Sequence, residues 1–98
     1  MSGSTRTSAD LDLRRRQILY RSWHRGIREM DLIMGRFADA ALTRMPEDDL
    51  GEFERLIDVP DHDLLGWVTG EIPIPADHDG RVLRALKAFH HGGPADPA

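Results

Sequence analysis

The apolar residues of this chain recur at the spacing of helical turns, in five stretches separated by glycine and proline. From Ala9 to His91 no segment shows the period of two that a half-buried strand needs. Leu11, Ile18, Leu19 and Trp23 mark one side of a first helix, for which Ser8 or Asp10 is a suitable cap. Gly26 interrupts that pattern. Met30, Ile33, Met34, Phe37, Ala41 and Leu42 then trace a longer second helix, which should stop near Arg44 because Pro46 disfavours helical geometry at Met45. A third helix opens with Glu47, Asp48 and Asp49, acids suited to the positive end of a helix dipole, and carries Leu50, Phe53, Leu56 and Ile57 inward. Pro60 closes it, and Asp61 is expected to cap a short fourth helix bearing Leu64, Leu65, Trp67 and Val68, which Gly70 ends. Beyond the stiff linker containing Pro73 and Pro75, a fifth helix is predicted from about Asp77 to His90, with Val82, Leu83, Leu86 and Phe89 on one face.

The pattern predicts an all-α fold, a compact five-helix single-domain bundle over residues 9–91. Residues 1–8 and 92–98 are expected to be flexible tails. A length of 98 residues suffices for one core and is too short for two. Only six residues are aromatic, so aliphatic side chains and methionines must fill most of the interior, and Trp23 and Trp67 stand out.

Charge and composition narrow the function. The formal net charge is −4, which argues against a nucleic-acid partner and favours protein partners. Cysteine is absent, so disulfides, thiolate nucleophiles and cysteine-ligated metals are excluded. No apolar run approaches the roughly 20 residues of a membrane span, so no membrane insertion and a cytoplasmic location are expected. The basic run Arg14, Arg15 and Arg16 is expected to lie mostly on a solvated helix face. His90 and His91 are adjacent and diverge on a helix, while His24, His62 and His78 lie in separate elements, so no metal site is expected. The acids around Glu47 and Asp61 stand at helix starts, where capping and solvation account for them; neither a catalytic pair nor a phosphate loop is legible, and the chain is not expected to be an enzyme.

One constellation remains. Around Gly26, the segment His24, Arg25, Gly26, Ile27, Arg28, Glu29, Met30, Asp31 follows Trp23 and concentrates charge beside a glycine. A glycine without Cβ admits close approach of another backbone, and Arg25 and Glu29 would project from one side if the helix were continuous. Two readings stand side by side: a docking patch, or a surface turn whose arginine and glutamate merely form a weak salt bridge.

The run Arg25, Gly26, Ile27, Arg28, Glu29, followed by Met30 and Asp31, resembles the RGxxE signature of the SdhE family of succinate dehydrogenase flavinylation factors. The basic first helix leading into Trp23 and His24, the segment Phe53 to Asp58, and the segment Pro60 to Trp67 match that family in order and spacing, over roughly Arg14 to Phe89. The resemblance implies a five-helix protein that binds the flavoprotein subunit of succinate dehydrogenase, with the fumarate reductase flavoprotein as a similar client. It further implies promotion of covalent FAD attachment to a histidine of that client. FAD then belongs to the client, and the chain itself binds no cofactor stably. Arg25, Gly26 and Glu29 would be the motif positions of the contact surface, with His24, Arg28 and Asp31 as neighbours. A monomer is expected, and the alternative function is a small helical adaptor for an unrelated partner.

Overall fold

The computed structural model describes residues 11–95. Among them are five α-helices and no strand: α1 Leu13–Trp23, α2 Arg28–Ala41, α3 Glu47–Ile57, α4 Asp61–Thr69 and α5 Arg81–His90. Two single 3-10 turns, Leu42–Arg44 and Ala76–His78, extend α2 and precede α5. The all-α class and the count of five agree with the periodicity. The expected tail 1–8 and the candidate caps Ser8 and Asp10 lie outside the described residues, as do residues 96–98.

The core follows the predicted stripes. Ile18, Leu19 and Trp23 of α1 meet Met30, Met34, Phe37 and Ala41 of α2, and Leu50, Phe53 and Leu56 of α3 close over them. Val82, Leu83 and Leu86 bring α5 against α2, α3 and α4. Phe37 joins two neighbours by its ring, with centroids 5.7 Å from Phe53 and 5.8 Å, edge-on, from Phe89. Gly35 lets α1 and α2 approach: a Cβ there would lie 2.2 Å from the Trp23 ring. Trp67 is buried, with its ring 5.0 Å from that of His78.

Several helix boundaries differ from expectation. α1 is capped by Asp12, whose carboxylate accepts the Arg15 N–H at 2.8 Å; this backbone bond is the main reason the Asp12 pKa is lowered. Pro46 and Pro60 occupy the cap positions of α3 and α4, so Asp61 is the first residue of α4 rather than its cap. Because Pro46 has no N–H, Asp49, three residues on, has no capping-box partner to reach back to. Its buried Oδ2 makes no hydrogen bond and lies 3.6 Å from Arg81, an ion pair too long to be one. Gly70 ends α4 as predicted, at φ 90°. The fifth helix starts at Arg81 instead of Asp77. Its cap residue Gly80 has no capping side chain, and Glu52 of α3 takes the part, accepting the N–H groups of Val82 and Leu83 at 3.0 Å each.

The arginine run also departs from the solvated-face expectation. Only Arg16 is fully exposed. Arg14 makes a bidentate pair with Glu54 of α3, at 2.7 and 3.1 Å, and this bonding pulls the Glu54 pKa down and raises that of Arg14. Arg15 reaches the carbonyl oxygens of Leu42 and Met45, at 2.9 and 2.5 Å, the former shared with the Met45 N–H that closes the 3-10 turn. Two of the three arginines therefore tie α1 to the rest of the bundle.

Candidate docking surface

The connection between α1 and α2 is a sharp turn. α1 ends at Trp23; His24 leaves helical geometry at φ −128° and ψ 52°, Gly26 takes φ 111°, and Ile27 is extended before α2 begins at Arg28. The positive φ at Gly26 is one that a side-chain-bearing residue rarely adopts. The break corrects one expectation directly. Arg25 and Glu29 do not share a continuous helix and do not project together.

Arg25 points inward. Its side chain is 6% exposed, and its guanidinium donates to the carbonyl oxygens of Ile57 and Val59 and to Asp61, the last at 2.8 Å. The physical logic lies in the α3–α4 junction. Ile57 presents a carbonyl that the end of α3 leaves unsatisfied, Val59 presents one in the loop that follows, and Asp61 places a carboxylate in the first turn of α4. A planar, five-donor guanidinium satisfies all three groups at once, which an ammonium does not match. The backbone N–H of Arg25 is held as well, by Asp31 at 2.5 Å, while the Asp31 N–H bonds the Ile27 carbonyl at 3.0 Å and starts α2. Arg25 and Asp31 thus fix the turn from behind.

The outer side of the turn is open. A Cβ built on Gly26 meets nothing within 4 Å, and Gly26, Ile27, Arg28 and Glu29 are all exposed. The side chains of Arg28 and Glu29 make no hydrogen bond or ion pair within the described residues, and so the salt bridge of the simpler reading is not formed. His24 is exposed too; its Nδ1 lies 2.7 Å from the Tyr20 carbonyl oxygen and its ring stacks on that of Tyr20, with centroids 4.0 Å apart. Glu29 also borders a groove of about 350 Å³ between α2 and α5, lined by Leu32, Ile33, Arg36, Phe89 and His90.

Of the six predicted positions, His24, Gly26, Arg28 and Glu29 are exposed at or beside the turn, whereas Arg25 and Asp31 bond inward behind it. Sequence reading missed Tyr20 and Ile27, both exposed next to the turn. Their signal was available: Tyr20 lies off the core stripe of α1, and Ile27 sits beside the glycine break. Such a surface offers a backbone that can be approached closely, charges not committed to neighbours, and apolar side chains, which together suit the recognition of another macromolecule. Among the described residues no group of His, Asp and Glu is arranged to hold a metal ion, and no helix is long and apolar enough to cross a membrane.

Comparison with known proteins bears on what that macromolecule is. Residues 16–90 match the family model Sdh5, described as flavinator of succinate dehydrogenase. The FAD assembly factor SdhE of Acetobacter pasteurianus is 32% identical over 77 residues, covering 79% of this chain and 71% of that protein. The mitochondrial succinate dehydrogenase assembly factor 2 of Debaryomyces hansenii is 39% identical over 86 residues, 84% of this chain and 61% of the relative. Its counterpart in Danio rerio is 36% identical over 86 residues, 86% of this chain and 54% of the relative. The chain therefore spans less than two thirds of the length of these two mitochondrial proteins. No solved structure matches it. With the match running from α1 through α5 and across the open turn, this chain belongs to the family of succinate dehydrogenase flavinators.

Proposed function

We propose that this protein is an assembly factor that binds the flavoprotein subunit of succinate dehydrogenase and promotes covalent attachment of FAD to it. The observation that carries this reading is the coincidence of the family match with an open, rigidly backed turn at Arg25, Gly26 and Glu29. Gly26, Glu29, Arg28 and His24 make the contact, and Arg25 and Asp31 act as positioning residues that hold the contact surface in shape. The flavoprotein subunit of fumarate reductase, built around the same flavin chemistry, is a second client. FAD stays with the client, and the assembly factor acts in the cytoplasm as a monomer that releases its client afterwards.

The helper contributes no reacting group. The bond joins the flavin to a histidine of the client, and a partner that holds the client in the competent geometry accelerates it by orientation. Aligning reacting groups lowers a barrier by several kcal/mol, up to about 7–11 in favourable intramolecular cases. Rigidity is what this mechanism requires of the docking surface, and the three inward bonds of the Arg25 guanidinium supply it. The test is removal of the protein from its cell. Covalent flavin in the succinate dehydrogenase flavoprotein, read by fluorescence of denaturing gels, is expected to fall severalfold or more and to return with the reintroduced gene; a client fully loaded without the protein would refute the proposal.

A further inference from the structure

Three large hydrophobic side chains are exposed among the described residues: Leu13 at 62%, Tyr20 at 64% and Ile27 at 44%. They are not scattered. Leu13 and Tyr20 are seven residues apart on α1, two helical turns or about 10 Å along one face, and Ile27 lies in the turn that follows. The core of α1 is satisfied by its other side, through Ile18, Leu19 and Trp23. Between and beside Leu13 and Tyr20 stand Arg16, Gln17 and Arg21, around a shallow depression of about 400 Å³.

The charge of this face opposes that of the whole chain. Against a formal net charge of −4, it presents Arg16 and Arg21 and continues to His24 and Arg28 at the turn. Arg16 makes no ion pair among the described residues. Arg21 meets Asp58 at 2.7 Å, but both are largely exposed, and such a pair contributes little and is readily exchanged. Glu54, the acid at the edge of the depression, is already bound by Arg14 through two hydrogen bonds. Tyr20 is held in place before any partner arrives, its ring stacked on His24 at an interplanar angle of 17°. An exposed aromatic already fixed in orientation loses little freedom on binding and makes an effective anchor.

We infer that the outer face of α1 is a second contact surface, continuous with the turn, for an acidic segment of the partner that carries an apolar side chain: its carboxylates meet Arg16 and Arg21 and its apolar group packs between Leu13 and Tyr20. The inference rests on the assembly-factor reading, which supplies the partner. A second copy of this chain is a poor occupant, because two faces of the same positive sign repel each other.

The experiment is a titration of purified succinate dehydrogenase flavoprotein subunit with the full chain and its variants Tyr20→Ala, Arg16→Glu and Glu29→Ala, at low and at moderate salt, with thermal unfolding recorded for each. The Arg16 side chain has no partner among the described residues, so its reversal tests the surface without breaking a bond seen in the fold. Tyr20→Ala is expected to weaken binding about tenfold or more, and Arg16→Glu to weaken it and flatten its salt dependence. Affinities within about twofold of the parent for both α1 variants, alongside a weakened Glu29→Ala, overturn the α1 surface and leave the assembly-factor reading standing. A parent chain that does not bind the flavoprotein overturns both. A change in the oligomeric mass of the chain itself on Tyr20→Ala, with client binding intact, assigns the face to self-association and also overturns the inference.

Discussion

Replacing Arg25 by alanine is expected to lower the unfolding free energy by about 3 kcal/mol, the lower end of what breaking a buried charge pair costs. The lower end applies because the freed Asp61 side chain is 25% exposed and regains some water. The loss has two parts: the ion pair with Asp61, and the carbonyls of Ile57 and Val59 left without the arginine's donors at the α3–α4 junction. For a domain of this size it amounts to a fall in Tm on the order of 15 °C, measured by circular dichroism. Arg25→Lys restores the charge but not the fork of donors and should recover only part of the stability. In cells, covalent flavin should fall with Arg25→Ala because the turn loses its backing. A variant of Arg25→Ala with unchanged unfolding would show that the guanidinium is not a structural strut.

The second large effect is expected at Gly35. A methyl there would lie 2.2–2.6 Å from three atoms of the Trp23 ring, which is itself buried and has its indole N–H 3.4 Å from Asp39. Neither partner can yield without separating α1 from α2. Overpacking of this kind costs about 1–3 kcal/mol and occasionally more. Alanine is a better helix former than glycine by about 1 kcal/mol, which works in the opposite direction. With the methyl driven into a flat, locked ring, we expect overpacking to win by about 2 kcal/mol in urea unfolding. Trp23→Leu should relieve the clash, so that Gly35→Ala costs less in that background than in the parent. A Gly35→Ala variant more stable than the parent would contradict the close packing of the two helices.

These two sites show what was legible in the sequence and what was not. The apolar stripes located all five helices because each is set by side chains within one turn of each other, and the break at Gly26, the stop before Pro46 and the end at Gly70 are local backbone chemistry. Tertiary partners decided the rest. The start of α5 moved from Asp77 to Arg81 because its first N–H groups are satisfied by Glu52, thirty residues away, rather than by a neighbouring cap. Arg14 and Arg15 read as solvated because a run of like charge looks the same whether or not the rest of the bundle presents Glu54 or backbone carbonyls to it.

The candidate site divides along the same line. An exposed glycine turn with charges around it was visible in the sequence. The inward direction of Arg25 was not, because its acceptors lie 32–36 residues on. A clue existed in the junction itself: α3 ends and α4 begins within four residues, leaving carbonyls and an acid that need a multivalent donor. The motif therefore combines two kinds of residue, with Arg25 serving the shape of the turn and Gly26 and Glu29 facing outward from it.

The outward side of that turn is expected to be the working surface. Glu29 is exposed, in the first turn of α2, and its side chain has no partner among the described residues, so Glu29→Ala should leave unfolding nearly unchanged. Introduced into cells lacking the parent gene, it should reach normal abundance yet restore only a small part of the covalent flavin on the succinate dehydrogenase flavoprotein. Full restoration by Glu29→Ala would contradict the assignment of this surface.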